Sequence, residues 1–156
     1  MARYTGTVDA PHSAEEVWNY LADLRSIREW DPSVESVTLV DGKPRTEGAR
    51  YELIVRFRGS SLTLPYRIVE ADPPVRVVFG AETDAVSVRD EAIIEPAGDG
   101  ASRLTWDAEL RLRGIRRLLD LPLRSFFNRL GQHAERGLGE RLRKPALEEP
   151  GERVRA

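Results

Sequence analysis

The chain has 156 residues, 40% hydrophobic and 32% charged, with a net charge of −2 and no cysteine. One domain with a sizeable core follows from that length. The near-neutral balance gives no basic surface for a phosphate backbone, and the missing thiols exclude disulfides and thiolate chemistry.

Arg3 to Asp9 alternates weakly and stops at Ala10-Pro11, which predicts a first strand. Ser13-Ala14-Glu15-Glu16 is a capping box that opens a helix burying Val17, Leu21 and Leu24, with Trp18 on the flank. A second box, Ser26-Ile27-Arg28-Glu29, predicts a short second helix, which Asp31-Pro32 must stop. Strands are then predicted over Ser33 to Val40, Tyr51 to Phe57, Leu62 to Ala71, Val75 to Phe79, Ala85 to Glu95 and Arg103 to Leu112. Asp41-Gly42, Arg58-Gly59-Ser60, Asp72-Pro73-Pro74 and Gly98-Asp99-Gly100 punctuate them, and such short links make neighbours antiparallel. Arg113 to Leu119 is a basic connector. From Asp120, a suitable cap, Leu123, Phe127, Leu130, Ala134 and Leu138 recur at helical spacing, which predicts one long amphipathic helix with Pro122 in its first turn. The domain is expected to span 1–144, and 145–156 to be a flexible tail.

Period-two alternation sorts the strand side chains into faces. Tyr51, Leu53, Val55 and Phe57 point one way. Leu62, Leu64, Tyr66 and Ile68 do the same in the next strand, then Val75, Val77 and Phe79, then Val86, Val88, Asp90, Ala92 and Ile94, and finally Leu104, Trp106, Ala108 and Leu110. This inner surface is apolar apart from Tyr51, Tyr66, Asp90 and the Trp106 indole. A carboxylate on such a face is costly unless it finds a partner or keeps a proton. Asp90 is therefore the prime candidate functional residue; the plain alternative places it at a wet strand end or against Arg67 or Arg89. Ala92, Ala108 and Ala134 are small residues expected to meet in the interior, which leaves either a ligand cavity or space filled by Phe126, Phe127 and Trp106. Gly131, Gly137 and Gly139 weaken the last helix unless close packing or helix motion requires them. His133 lies on the shoulder of the apolar stripe, as a surface residue or a general base. Arg111, Arg113, Arg116, Arg117 and Arg124 form a solvated face or attract an acidic headgroup.

The order strand, two helices, six strands and long helix resembles the START-like helix-grip superfamily, also called SRPBCC. The words Asp9-Ala10-Pro11, Ser13-Ala14-Glu15-Glu16-Val17-Trp18, Glu29-Trp30-Asp31-Pro32 and Ile94-Glu95-Pro96 resemble its polyketide cyclase/dehydrase and lipid-transport branch, over roughly residues 2–143. The resemblance implies an α+β fold in which a curved antiparallel sheet of about seven strands grips the C-terminal helix, with a hydrophobic pocket between them. The expected pocket residues are Tyr51, Leu53, Val55, Leu64, Tyr66, Val77, Phe79, Val88, Asp90, Ala92, Trp106, Ala108, Phe127, Leu130 and Ala134.

The leading functional expectation is a carrier or sensor for a small hydrophobic molecule such as a lipid or polyketide. The alternative is a cofactor-free polyketide cyclase/dehydrase, in which Asp90 or Tyr66 moves protons during intramolecular aldol condensation and dehydration. A third class, a protein-interaction domain, requires a closed cavity. His12 and His133 cannot assemble a zinc site, so no metal and no cofactor is expected. No apolar run reaches membrane-spanning length and the N-terminus lacks a signal-peptide core. A cytoplasmic monomer or homodimer, without nucleic acid or integral membrane association, is the resulting expectation.

Overall fold

The computed structural model describes residues 1–114 and 120–147, and the backbone alone for 120–122. Strand β1 (Ala2–Ala10) leads into helix α1 (Ala14–Leu21) and a 3₁₀ helix (Leu24–Glu29). Next come β2 (Val34–Asp41), β3 (Arg50–Phe57), β4 (Ser60–Asp72), β5 (Arg76–Glu82), β6 (Val86–Pro96) and β7 (Ser102–Leu112), and then α2 (Asp120–Leu142). The strands form one seven-stranded sheet in the order β1-β7-β6-β5-β4-β3-β2. Every pairing is antiparallel. Register shifts at Val34/Ser36 and Leu39/Asp41 in β2, and at Ile68/Glu70 in β4, add residues on one side of the ladder. Such bulges bend a sheet and increase its twist.

The first capping box forms in part. The Ser13 hydroxyl accepts the Glu16 N–H at 3.2 Å, while the Glu16 carboxylate turns to His12 Nδ1 at 3.2 Å instead of reaching back to the cap. The second box does not open its helix. Asp23 does so from further upstream, accepting the Arg25 N–H at 3.2 Å, and Ser26 lies buried within the turn. A carboxylate stabilises the positive end of a helix better than a hydroxyl does, and Asp23 also holds the Arg25 guanidinium at 2.6 Å. Asp31 ends the segment by accepting both the N–H and the hydroxyl of Ser33, at 2.9 and 2.6 Å.

Helix α1 and the 3₁₀ helix bury Val17, Trp18, Tyr20, Leu21, Leu24 and Ile27 in one cluster with Val77, Phe79, Ala92, Ile94 and Leu104. Trp18, expected on the flank, is only 4% exposed, and its indole N–H donates to the Arg76 carbonyl at 3.0 Å. Val75, expected to face inward, is 47% exposed. The chain is still turning there, since the Val75 N–H closes back on the Asp72 carbonyl at 2.8 Å before β5 begins.

Helix α2 runs along β1. Leu123 and Leu138 are buried on its inner face, with Phe127, Leu130 and Ala134 half-buried between them. A Cβ at Gly131 would run into the Tyr4 ring, and one at Gly137 into the Trp30 carbonyl, so both glycines permit a close approach of the helix. Gly139 has only Val8 nearby, at an ordinary 3.8 Å. At the C-terminal end Arg141 Nε donates to Glu29 at 2.9 Å, and the same carboxylate oxygen accepts the Tyr20 hydroxyl at 2.5 Å. Leu147 still packs against the core. Arg116 and Arg117 of the connector, the side chain of Asp120 as a cap, and 148–156 of the expected tail lie outside the described residues. Among the described residues, no helix is long and apolar enough to cross a membrane.

Candidate functional site

Between α2 and the inner face of the sheet lies a cavity of about 430 Å³. Its existence follows from how the two layers meet. α1 and the 3₁₀ helix fill one end of the concave sheet, whereas α2 spans the other end with three leucines, Phe127, Ala134, Gly131 and Glu135. Phe127 and Trp106 line the cavity without filling it. Phe126 turns aside and meets the edge of Phe57 at 5.1 Å. The rim at the β3–β4 hairpin is formed by Arg56, Phe57, Arg58, Ser60 and Ser61. Deeper, Ile27, Trp30, Asp31 and Val34 form the wall beneath the 3₁₀ helix.

Of the expected pocket residues, the structure brings together Leu53, Val55, Leu64, Tyr66, Val88, Asp90, Trp106, Ala108, Phe127, Leu130 and Ala134 on this wall. Tyr51, Val77, Phe79 and Ala92 are inward and buried but do not line the cavity. Each lies in the filled end of the sheet. Tyr51 sits beneath the 3₁₀ helix, where burial and the nearby Asp23 push its phenol up to about 12. Val77 and Ala92 pair across β5 and β6, and Phe79 stacks on Trp106 at 6.4 Å. His133 is exposed on α2, away from the cavity.

Asp90 is 6% exposed, so it does not sit at a wet strand end. Neither arginine pairs with it: Arg89 points to the other face and binds Glu91 at 2.9 Å, and Arg67 is exposed. Its partner is the Tyr66 hydroxyl, which donates to Oδ2 at 3.1 Å across the intervening strand β5. Burial raises the Asp90 carboxyl to about 7, with the Tyr66 hydrogen bond opposing and the charge of Asp31 adding to the rise. Burial likewise drives the Tyr66 phenol well above its usual value, and the Asp90 charge reinforces it.

Three cavity residues escape period-two reasoning on the later strands. Asp31 is raised by burial against two hydrogen bonds from Ser33 that lower it. Its sequence neighbours Trp30 and Pro32 mark it as a turn, which hides its place on the wall. Tyr4 and Glu135 form a hydrogen bond from β1 to α2, and burial together with that bond holds the Tyr4 phenol up at about 12. Alternation of Tyr4, Gly6 and Val8, and the helical spacing of Gly131 and Glu135, carry the signal that could have found them. Among the described residues, no group of three or more His, Cys, Asp or Glu is arranged to hold a metal ion.

A model of the family described as "Polyketide cyclase / dehydrase and lipid transport" matches residues 1–143. The fold is similar to that of a protein from Thermus thermophilus, at 18% identity and a TM-score of 0.74, covering 90% of this chain and 96% of that one. A START superfamily protein from Mycobacterium smegmatis matches at 15% identity and a TM-score of 0.70, covering 91% and 97%. The Zhui aromatase/cyclase from a Streptomyces species matches at 19% identity and a TM-score of 0.69, covering 89% and 93%. No match was found among curated proteins. At these identities the structural likenesses speak to the fold.

Proposed function

Because the chain belongs to the polyketide cyclase/dehydrase and lipid-transport family, we propose that it is a cytoplasmic carrier or sensor that encloses one small hydrophobic molecule between α2 and the sheet. The observation that carries this reading is the apolar cavity of about 430 Å³, within the roughly 300–1,000 Å³ of ordinary ligand sites. Polar groups are a minority on its wall, so they orient a ligand and leave the apolar wall to supply affinity. Native mass spectrometry of protein purified from its own host tests it: a retained small apolar molecule is the expected result. Failure to bind any member of a panel of lipids and aromatic polyketides would overturn it.

A second reading rests on the Asp90–Tyr66 pair. A cavity carboxyl that titrates at about 7 can take a proton from an acidic carbon and return it to a departing hydroxyl. This is the chemistry of a cofactor-free cyclase/dehydrase, in which the cavity folds a linear polyketide for aldol condensation and loss of water. Incubation with a linear polyketide chain separates the two readings. Cyclised product that disappears in Asp90→Asn supports the enzyme; unchanged substrate supports the carrier.

A further inference from the structure

Within the described residues, the ionisable side chains on the inner wall of the cavity are acids, with no base among them. Asp31 and Asp90 stand on its inner wall, and Glu135 closes it from α2, already engaged by Tyr4. The cavity's arginines, Arg56 and Arg58, both lie at the exposed rim, and Arg56 is drawn to Glu35 at 3.1 Å. Among the described residues, neither inner aspartate meets a protein cation. Asp90 is held through one oxygen by Tyr66, and Asp31 through one oxygen by Ser33. Within the same residues, the second oxygen of each accepts no hydrogen bond.

The same wall is unfinished in another respect. Trp30 is 5% exposed and lines the cavity, yet its buried indole N–H has no acceptor among the described residues. Buried polar groups are nearly always partnered, so an orphan on a cavity wall points to an occupant. The rings around it suit a cation. Trp30 meets Trp106 edge-on at 5.2 Å, and Tyr66 and Phe127 line the same cavity. Aromatic faces beside carboxylates attract ammonium groups.

Resting on the reading of the cavity as a ligand site, we infer that its ligand is an apolar amine, held with its protonated nitrogen between Asp31 and Asp90 and its hydrocarbon body against Leu53, Val88 and Leu130. A carboxylate ligand of equal size would bring like charge against both aspartates, and the cavity discriminates against it.

Calorimetric titration with decylamine, decanol and decanoate, which share one apolar body, tests this. Decylamine binds tightest, about tenfold or more above decanoate, as expected for a charge-assisted hydrogen bond. Asp90→Asn and Asp31→Asn each erode the amine's advantage over decanol and decanoate. If decanol or decanoate binds as tightly as decylamine, the amine assignment is overturned and the cavity reading stands. If none of the three binds, the cavity reading itself fails. Should either variant unfold, the three-ligand ranking on the native protein decides alone.

Discussion

The Tyr66 hydroxyl and the Asp90 carboxylate meet at 3.1 Å on the cavity wall. They reach across β5 from strands that are not neighbours. This contact joins two of the polar groups on a largely apolar wall, and it has a measurable signature.

Asp90 carries a folded-state pKa of about 7, against an unfolded value near 4. Between those values the folded protein binds more protons than the unfolded chain, so this group makes stability fall as pH rises from about 4 to about 7. Asp90→Asn removes the dependence. Relative to wild type, the variant gains stability with rising pH, by about 4 kcal/mol at pH 8 and by less than about 1 kcal/mol at pH 4. Denaturant melts of both proteins at several pH values measure the difference, and carbon-13 NMR follows the carboxyl directly. A pH-independent difference together with an ordinary carboxylate titration would end this account of Asp90.

Ala108 lines the cavity and faces Asp90 on one side and Tyr4 on the other. Ala108→Trp fills the space and lowers affinity for an apolar fluorescent probe by about tenfold or more, with an overpacking cost of about 1–3 kcal/mol that leaves the protein folded. Circular dichroism checks the fold and fluorescence the binding. Unchanged probe affinity in the folded variant would show that binding lies elsewhere.

The helix glycines separate by sign. Gly139→Ala meets only an ordinary contact with Val8 at 3.8 Å and stabilises by up to about 1 kcal/mol through helix propensity. Gly131→Ala and Gly137→Ala make the same propensity gain but collide with the Tyr4 ring and the Trp30 carbonyl. Both destabilise, by about 1–3 kcal/mol, with Gly137→Ala the worse because backbone cannot rotate away. Thermal melts of the three variants give the ranking; equal effects would refute it.

Arg141 is buried and depends on Glu29 at 2.9 Å. Glu29→Ala takes the carboxylate away from Arg141 and from the Tyr20 hydroxyl, although Arg141 Nη1 keeps the Ala146 carbonyl at 3.1 Å, a loss of about 2–3 kcal/mol once partial exposure of the carboxylate is allowed for. Adding Arg141→Met recovers much of it, because a hydrophobic side chain of similar size leaves no charge behind. A double variant no more stable than Glu29→Ala alone would contradict this pairing.

Much of this architecture is legible in the chain because strand and helix periods report burial directly. The alternation through Tyr51, Leu53 and Val55, and the spacing from Leu123 to Leu138, place the sheet and α2 in nearly their observed bounds. The cavity wall is only partly legible, since facing inward and facing empty space obey the same period. Whether Val77 meets α1 or Leu53 meets a void depends on where a helix from another part of the chain comes down. Asp31 was hidden for a different reason: a residue that stops a helix looks complete as a turn signal, and its second oxygen goes unremarked. Asp23, not Ser26, opens the 3₁₀ helix because its carboxylate caps the backbone N–H of Arg25 and holds the guanidinium of the same residue.

The pairing of β1 with β7, Ala2 to Leu110 through Ala10 to Ser102, governs the order in which the molecule can be assembled. Of the seven strands, β1 is synthesised first and finds its neighbour last, because its partner follows roughly a hundred residues later, a loop whose closure is entropically costly. Until then β1 is a bare edge with an apolar face, open to pairing with other chains. A fragment ending before Ser102 leaves that edge permanently unmatched and also lacks α2, which otherwise covers β1. Shortening the protein from its C-terminal side therefore does more damage to its first ten residues than to the hairpins in its middle.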